Sequence, residues 1–260
     1  MKICTFNVNS IRVRMDLISQ WLDHRKQDVD VLCFQELKAA DENFPLEPFE
    51  KMGYACGVFG QKTYNGVAIC SRFPMDNTRK GFGDGRWDKQ RRLIASKIKG
   101  IPIINIYAPH GGLKGEEKHE YKQDWYAKLI TFLQESFSPK DPLLIVGDFN
   151  VARANLDVFD PSALEGAIGT LPEEREAFQD LLGWGLTDVF RHLYPERSQF
   201  TWWDYIGGAI WKNEGMRIDY VLCTEPLLPK IKDVEVDLWP RRRRTPKPSD
   251  HAPVIVTATV

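Results

Sequence analysis

The chain has 260 residues, 43% of them apolar and 27% charged, enough for one large core, and its formal net charge is only −1. No stretch reaches the length and apolarity of a membrane span, and no short internal repeat is evident, which excludes a membrane-spanning helix and removes solenoids and propellers. The charge balance gives no overall pull toward nucleic acid, yet leaves it open, because a groove responds to local rather than net charge.

Taken in chain order, the first predicted strand spans 2–7, and "ICTFNVN" ends it on Asn7 and Asn9 with no leader-like apolar run before it. A helix follows over 12–26, where Leu17, Ile18, Trp21 and Leu22 form one apolar stripe. The strand over 29–35 closes as "DVLCFQELK", placing Gln35 and Glu36 at its end. Strands over 54–59 and 66–71 precede a basic stretch, "RKGFGDGRWDKQRR", at 79–92. Strands over 92–98 and 102–108 come next, the second running into "IINIYAPH" with Asn105, Tyr107 and His110. A helix over 120–136 carries Tyr121, Trp125, Leu129, Phe132 and Leu133.

The strand over 142–147 ends abruptly as "LLIVGDFN", on Asp148 and Asn150, two residues that equally suit a turn. "LPEEREAFQDLL" opens a third helix, with Pro172 in the first turn and Glu173 and Glu174 at its positive end. Strands over 186–190, 199–203, 217–223, 231–238 and 252–259 complete the chain. Within them "RIDYVL" holds Asp219, "PSDHAPVIV" sets Asp250 and His251 before the last strand, and "RRRRTPKP" at 241–248 is a second basic patch. Strands outnumber helices and are not regularly separated by them, so two packed sheets with a few outer helices fit better than a doubly wound sheet. No linker-like tract divides the chain, and one domain over 1–260 is expected. The five cysteines lack any CxxC spacing, and small buried thiols in a reducing compartment are expected of them.

Each strand-end polar residue has a plain reading as a turn, a cap or a wet surface group. Six such interruptions together point to one end of a rigid sheet layer, where chemistry is commonly carried. Carboxylate and amide oxygens with few thiols or imidazoles favour Mg²⁺ or Mn²⁺ over zinc. His251 with Asp219 makes an oriented imidazole, Asp148 can take a proton from water, and Tyr107 can donate to a phosphoryl oxygen. Together these are the parts of a phosphodiester hydrolase. A serine acyl-transfer site is disfavoured, because no G-x-S-x-G elbow occurs.

The order of the motifs "FNVNSIRVR", "LCFQELK", "GQKTYNGVAI", "QRRLI", "NIYAPH", "VGDFN", "LPEEREAF", "GLTDVFRHLYP", "FTWWDY", "GMRIDYVL" and "PSDHAPV" resembles the exonuclease III and abasic-site endonuclease family. That family is part of the DNase I-like endonuclease/exonuclease/phosphatase superfamily, and the resemblance covers essentially the whole chain. It implies a four-layer α/β sandwich, two facing mixed β-sheets flanked by helices, with the site at one end. It implies Glu36 as the principal metal-binding carboxylate, Asn7 beside it holding metal-bound water or the carboxylate, and Asp250 as a further contributor to the metal environment. Asp148 is implied as the residue that activates water and Asn150 as its partner on the substrate phosphate. Tyr107 and His251 are implied to face the scissile phosphate, with Asp219 holding the imidazole. Trp202 would wall an abasic-sugar pocket together with Met216 and Ile218, admitting a base-free deoxyribose and excluding an attached base. Lys62, Tyr64, Asn65, Arg91, Arg92 and His110 are implied contacts to DNA phosphates, which hold a duplex without reading its sequence. His110 stands where relatives commonly carry an amide, and the "RRRR" run is a candidate grip on the DNA backbone.

The activity implied is Mg²⁺-dependent hydrolysis of the backbone 5′ to abasic sites in duplex DNA, leaving a 3′ hydroxyl in base excision repair. Exonuclease and 3′-phosphatase action on blocked 3′ ends are expected alongside it. The alternative is an enzyme that mainly processes 3′ ends and incises abasic sites little. A monomer acting in the bacterial cytoplasm, with no membrane partner, is expected.

Overall fold

In the computed structural model, which describes residues 1–260, the predicted strands assemble into two six-stranded sheets and a short ribbon. The first sheet contains β1 (Lys2–Asn7), β2 (Val31–Gln35), β3 (Ala55–Phe59), β4 (Val67–Ser71), β13 (Ile231–Val236) and β14 (Val254–Ala258), in the order β13-β14-β1-β2-β4-β3. The second contains β5 (Met75–Lys80), β6 (Leu93–Ile98), β7 (Ile101–Tyr107), β8 (Leu144–Asp148), β9 (Leu186–Asp188) and β12 (Asp219–Thr224), in the order β5-β6-β7-β8-β12-β9. The ribbon pairs β10 (Trp202–Trp203) with β11 (Gly215–Met216).

Burial on both faces explains the unbroken apolar runs. In β2, Val31 and Cys33 point into the core between the sheets, while Leu32 and Phe34 point outward under α1 (Ile11–His24) and α2 (Leu46–Lys51). The second sheet is covered on its outer side by α3 (Glu117–Ser136) and α4 (Pro172–Gly183), through Trp125, Leu129, Phe178 and Leu181. The layers are therefore helix, sheet, sheet, helix, the four-layer sandwich of the expectation. A strand sandwiched in this way has no polar face to show, so period-two alternation disappears from it.

The pairing registers bring the polar strand ends to one place. Strands β1 and β2 are parallel with Asn7 opposite Gln35, and β7 and β8 are parallel with Tyr107 opposite Asp148. Antiparallel β12 begins where β8 stops, with Asp219 opposite Asp148, and a bridge between Trp202 and His251 fixes the start of the last strand nearby. Four strand ends and two strand beginnings thus share one end of the sandwich.

Several expectations change. Strand β5 went unpredicted because "MDNTRK" is mostly exposed on a sheet edge and carries no apolar alternation. The strand expected over 186–190 stops at Asp188, whose side chain accepts from the Arg191 N–H and starts α5 (Val189–Leu193). The strand expected over 199–203 shortens to β10, and α2, α6 (Ala209–Lys212) and α7 (Leu238–Arg241) are too short to show periodicity. Cys56 and Cys70 form a disulfide, because the β3–β4 register sets them directly opposite; only Cys4, Cys33 and Cys223 remain buried thiols.

Candidate active site

Two of the polar interruptions lie beneath the site. The Gln35 amide donates to Asn105 Oδ1 at 2.6 Å and to Thr5 Oγ1 at 2.9 Å, and Asn105 donates to the carbonyls of Phe34 and Ala68 at 2.9 Å each. Both amides are fully buried, so they tie the two sheets together and do not face the cavity. Above them, Asn7 Nδ2 donates to Glu36 Oε1 at 3.0 Å and to Asp148 Oδ2 at 2.8 Å, bridging carboxylates that lie 112 positions apart in the chain. The Asn7 oxygen accepts from the Asn9 N–H at 3.0 Å. Asn7 therefore presents its nitrogen to both carboxylates and holds them side by side.

The remaining partners complete a ring. Tyr107 donates its hydroxyl to Glu36 Oε1 at 2.8 Å, while Lys38, a residue that sequence reasoning passed over, contacts Glu36 Oε2 at 2.9 Å. Glu36 and Lys38 both sit at positive φ, at 50° and 51°, so the chain turns sharply after β2 and returns the lysine toward the glutamate. The Asn150 N–H donates to Asp148 Oδ1 at 2.9 Å from a left-handed residue, and the Asn150 amide donates to Ala108 O at 2.9 Å. His251 Nδ1 lies 2.9 Å from Asp219 Oδ2, and its Nε2 lies 3.7 Å from Asp148 Oδ2. Asp219 receives no other side chain, and its Oδ1 is a buried oxygen without a partner.

Burial and charge set the protonation states. Burial alone would lower the proton affinity of His251, but the carboxylates of Asp219 and Asp148 more than offset it and push it up to about 10. The ring is thus an imidazolium at neutral pH. Burial, with Asp219 close by, holds Asp148 above the ordinary carboxylate range. Glu36 is also buried, which works against its charge, yet the Asn7 amide and the Lys38 ammonium outweigh burial and keep it below the ordinary range.

A cavity of about 250 Å³ opens over this ring. Trp202, Met216 and Ile218 form its apolar wall beside Glu36, Asp148 and His251. Gly169, at φ +88°, leaves that wall bare, since a Cβ there would come within 3.2 Å of Met216 Cε. Trp203, next to Trp202, is wholly buried and belongs to the core. Asp250 accepts from Trp202 Nε1 at 3.1 Å on one oxygen and from Asn9 Nδ2 at 3.0 Å and Ser249 Oγ at 3.3 Å on the other. Its carboxylate thus fixes the indole wall and lines the same cavity as Glu36 and Asp148.

A second groove meets the first at His110 and is lined by Tyr64, Asn65, Arg92 and Lys118. The implied phosphate contacts divide here. Tyr64 is 67% exposed and free to meet a ligand, whereas Arg92 also donates to the carbonyls of Tyr107 and Ala108. Lys62 is exposed but lines neither groove, and Arg91 is turned toward Gly60 O and Asp41. Arg241 is buried against the carbonyls of Trp203, Asp204 and Asp250, so the first member of the "RRRR" run is structural and only Arg242 to Arg244 are exposed.

Glu36, Asp148 and His251 each direct a donor atom to one place, all within 4.8 Å of one another. The hard carboxylate oxygens of Glu36 and Asp148 fit a divalent cation of the Mg²⁺ class, and no sulfur donor is present to favour zinc. This acidic cluster is a candidate metal centre.

Comparison with known proteins finds relatives along nearly the whole chain. The profile of the Endonuclease/Exonuclease/phosphatase family matches residues 4–251. Exodeoxyribonuclease III of Haemophilus influenzae is 35% identical over 266 residues, with 98% of each chain covered. An AP endonuclease from Archaeoglobus fulgidus superposes with a TM-score of 0.94 at 37% identity. The 3′ phosphatase NExo from Neisseria, solved bound to a product DNA hairpin, superposes with a TM-score of 0.93 at 38% identity, and both superpositions cover 100% of both chains. No helix of the chain is long and apolar enough to cross a membrane.

Proposed function

The chain belongs to the endonuclease/exonuclease/phosphatase family and is a DNA-repair nuclease of the exodeoxyribonuclease III and AP endonuclease kind, and on that premise we propose its substrate and mechanism. The enzyme hydrolyses the DNA backbone 5′ to an abasic site, with Mg²⁺ as its ion and Mn²⁺ as a substitute, leaving a 3′ hydroxyl. It acts as a monomer in the bacterial cytoplasm. The observation that carries this reading is the bare, apolar wall of Trp202, Met216, Ile218 and Gly169 directly beside the acidic ring. A deoxyribose without its base fits such a wall, whereas an attached base meets the indole.

Each residue then has a task. Glu36 and Asp148 would hold the cation, which when bound would neutralise charge on the phosphate and act as a Lewis acid. Tyr107 and Lys38 hold Glu36 in place. Asp148, kept basic by its raised proton affinity, takes the proton from the attacking water, and Asn7 and the Asn150 N–H fix its two oxygens. The water oxygen bonds to phosphorus as the bond from phosphorus to the 3′ oxygen breaks; the 3′ oxygen leaves with the bonding pair and takes a proton from solvent to become the 3′ hydroxyl. The His251 imidazolium, held by Asp219, faces the phosphoryl oxygens and offsets their growing charge. The groove of Tyr64, Asn65, Arg92 and His110 receives the flanking backbone.

The similarity to a 3′ phosphatase supports a second reading, in which blocked 3′ ends are the main substrate. Matched duplexes carrying an internal abasic-site analogue, a recessed undamaged 3′ end or a 3′ phosphate, each with Mg²⁺ and with EDTA, separate the two. Internal incision that needs Mg²⁺ is expected; 3′-phosphate release without incision would replace the first reading with the second.

A further inference from the structure

Lys122 lies on α3 with a side chain that is 0% exposed, and no step of the reaction above uses it. Its ammonium donates to three acceptors: Asn150 O at 2.7 Å, His110 O at 3.1 Å and Glu174 Oε1 at 2.6 Å. The other oxygen of Glu174, also 0% exposed, accepts from the N–H groups of Gly169 at 2.6 Å and Leu171 at 3.1 Å. Asn150, His110 and Gly169 all line the catalytic cavity, yet they sit on three separate loops, after β8, after β7 and before α4. Gly111 is packed against the same pair, since a Cβ there would lie 2.8 Å from Lys122 Cδ. One buried ion pair therefore binds the backbone of three cavity walls at once.

Stability alone is a poor reason to keep such a pair. Well-packed apolar residues of similar volume commonly replace a buried ion pair without loss, because desolvation cancels much of the Coulombic gain. An apolar pair, however, cannot hold two carbonyls and two N–H groups of different loops in one arrangement. Resting on the proposed reading of the site, we infer that Lys122 and Glu174 are positioning residues that hold Asn150, His110 and Gly169 in their reactive arrangement. They act through the backbone and touch no substrate. Displacing Asn150 moves the N–H that orients Asp148, and displacing Gly169 alters the wall that receives the sugar.

The test compares Lys122→Met and Glu174→Gln with Arg25→Met, which breaks the ion pairs of Arg25 with Asp28, Glu235 and Asp237, none of them lining the cavity. Single-turnover rate with enzyme in excess, Kd for the same duplex and Tm are measured for each folded variant. Turnover is established first with the wild type, on the abasic duplex or the 3′-phosphate duplex. Lys122→Met is expected to slow the chemical step by about tenfold to a hundredfold, the scale of a small misplacement in a preorganised site, with little change in Kd. Arg25→Met is expected to lower Tm while keeping the wild-type rate. A folded Lys122→Met at the wild-type rate overturns the inference, and so does equal slowing by Arg25→Met. If Lys122→Met does not fold, Glu174→Gln is held to the same two outcomes. A wild type that turns over neither duplex ends the reading of the site itself, which is a different result from an active wild type whose variants are unimpaired.

Discussion

At the scale of single residues, the site works by setting two buried groups against each other. His251 holds its proton through neutral pH because Asp219 and Asp148 outweigh burial, and Asp148 remains a good base because burial and Asp219 raise its proton affinity. Asp148→Asn removes the acceptor for the water proton and keeps the shape of the side chain. It is expected to lower single-turnover cleavage by orders of magnitude while leaving DNA affinity nearly unchanged; near-normal single-turnover cleavage would remove Asp148 from its role. The sign of the His251 shift gives a pH prediction. The folded value of about 10 lies above the ordinary value of about 6.5, so its contribution to stability is complete below the ordinary value. That contribution is lost as pH rises through the folded value. On the proposed mechanism, which uses the imidazolium, activity is expected to fall over the same upper range. Asp219→Asn removes a main support of the proton and should move the alkaline limb of kcat/KM to lower pH; an unmoved limb would mean that another group sets it.

At the scale of elements, position comes from register. The ribbon of β10 and β11 sets Trp202 opposite Met216, so two distant stretches of chain make one wall. Trp202→Ala should narrow the preference for abasic over undamaged sites, read as the ratio of kcat/KM on the two duplexes, and an unchanged ratio would assign discrimination elsewhere. Beneath the site, Asn105→Ala should lower stability by about 1–3 kcal/mol in urea unfolding, because Gln35 and the carbonyls of Phe34 and Ala68 lose a buried partner. An unaltered midpoint would show that the inter-sheet amides are dispensable.

Legibility in the sequence follows the same division. The runs that became β1, β2, β7 and β8 announce themselves by continuous burial, and their polar ends Asn7, Glu36, Tyr107 and Asp148 stand out for that reason. Edge strand β5 and the one-turn helices carry no such signal. Nor does spacing reveal which atom a side chain offers: Asn7 turns its nitrogen toward the carboxylates, and Asp250 accepts from Trp202, Asn9 and Ser249. Lys38 was visible only as a charge two places after Glu36, and Lys122 only as one of several lysines near a charged loop. Buried pairs such as Lys122 with Glu174 become readable only when residues 52 positions apart are brought together.

At the scale of the whole molecule, the sandwich is a device for convergence. Two sheets, each with one parallel pair at its centre, deliver Glu36 from one and Asp148 from the other to the same end, and His251 arrives from the chain segment just before β14. The amides between the sheets hold that meeting point from below, and the loops after β7 and β8 close it from the side. The central claim is that Glu36 and Asp148 would hold one cation at the cleaved phosphate, with the His251 imidazolium facing it. Mn²⁺ titration of the metal-stripped protein, followed by electron paramagnetic resonance alongside cleavage of the abasic duplex, addresses it directly. Binding and cleavage should appear together in the wild type and be lost together in Glu36→Gln. Full cleavage by the metal-stripped wild type, or unaltered Mn²⁺ binding in Glu36→Gln, would contradict the account.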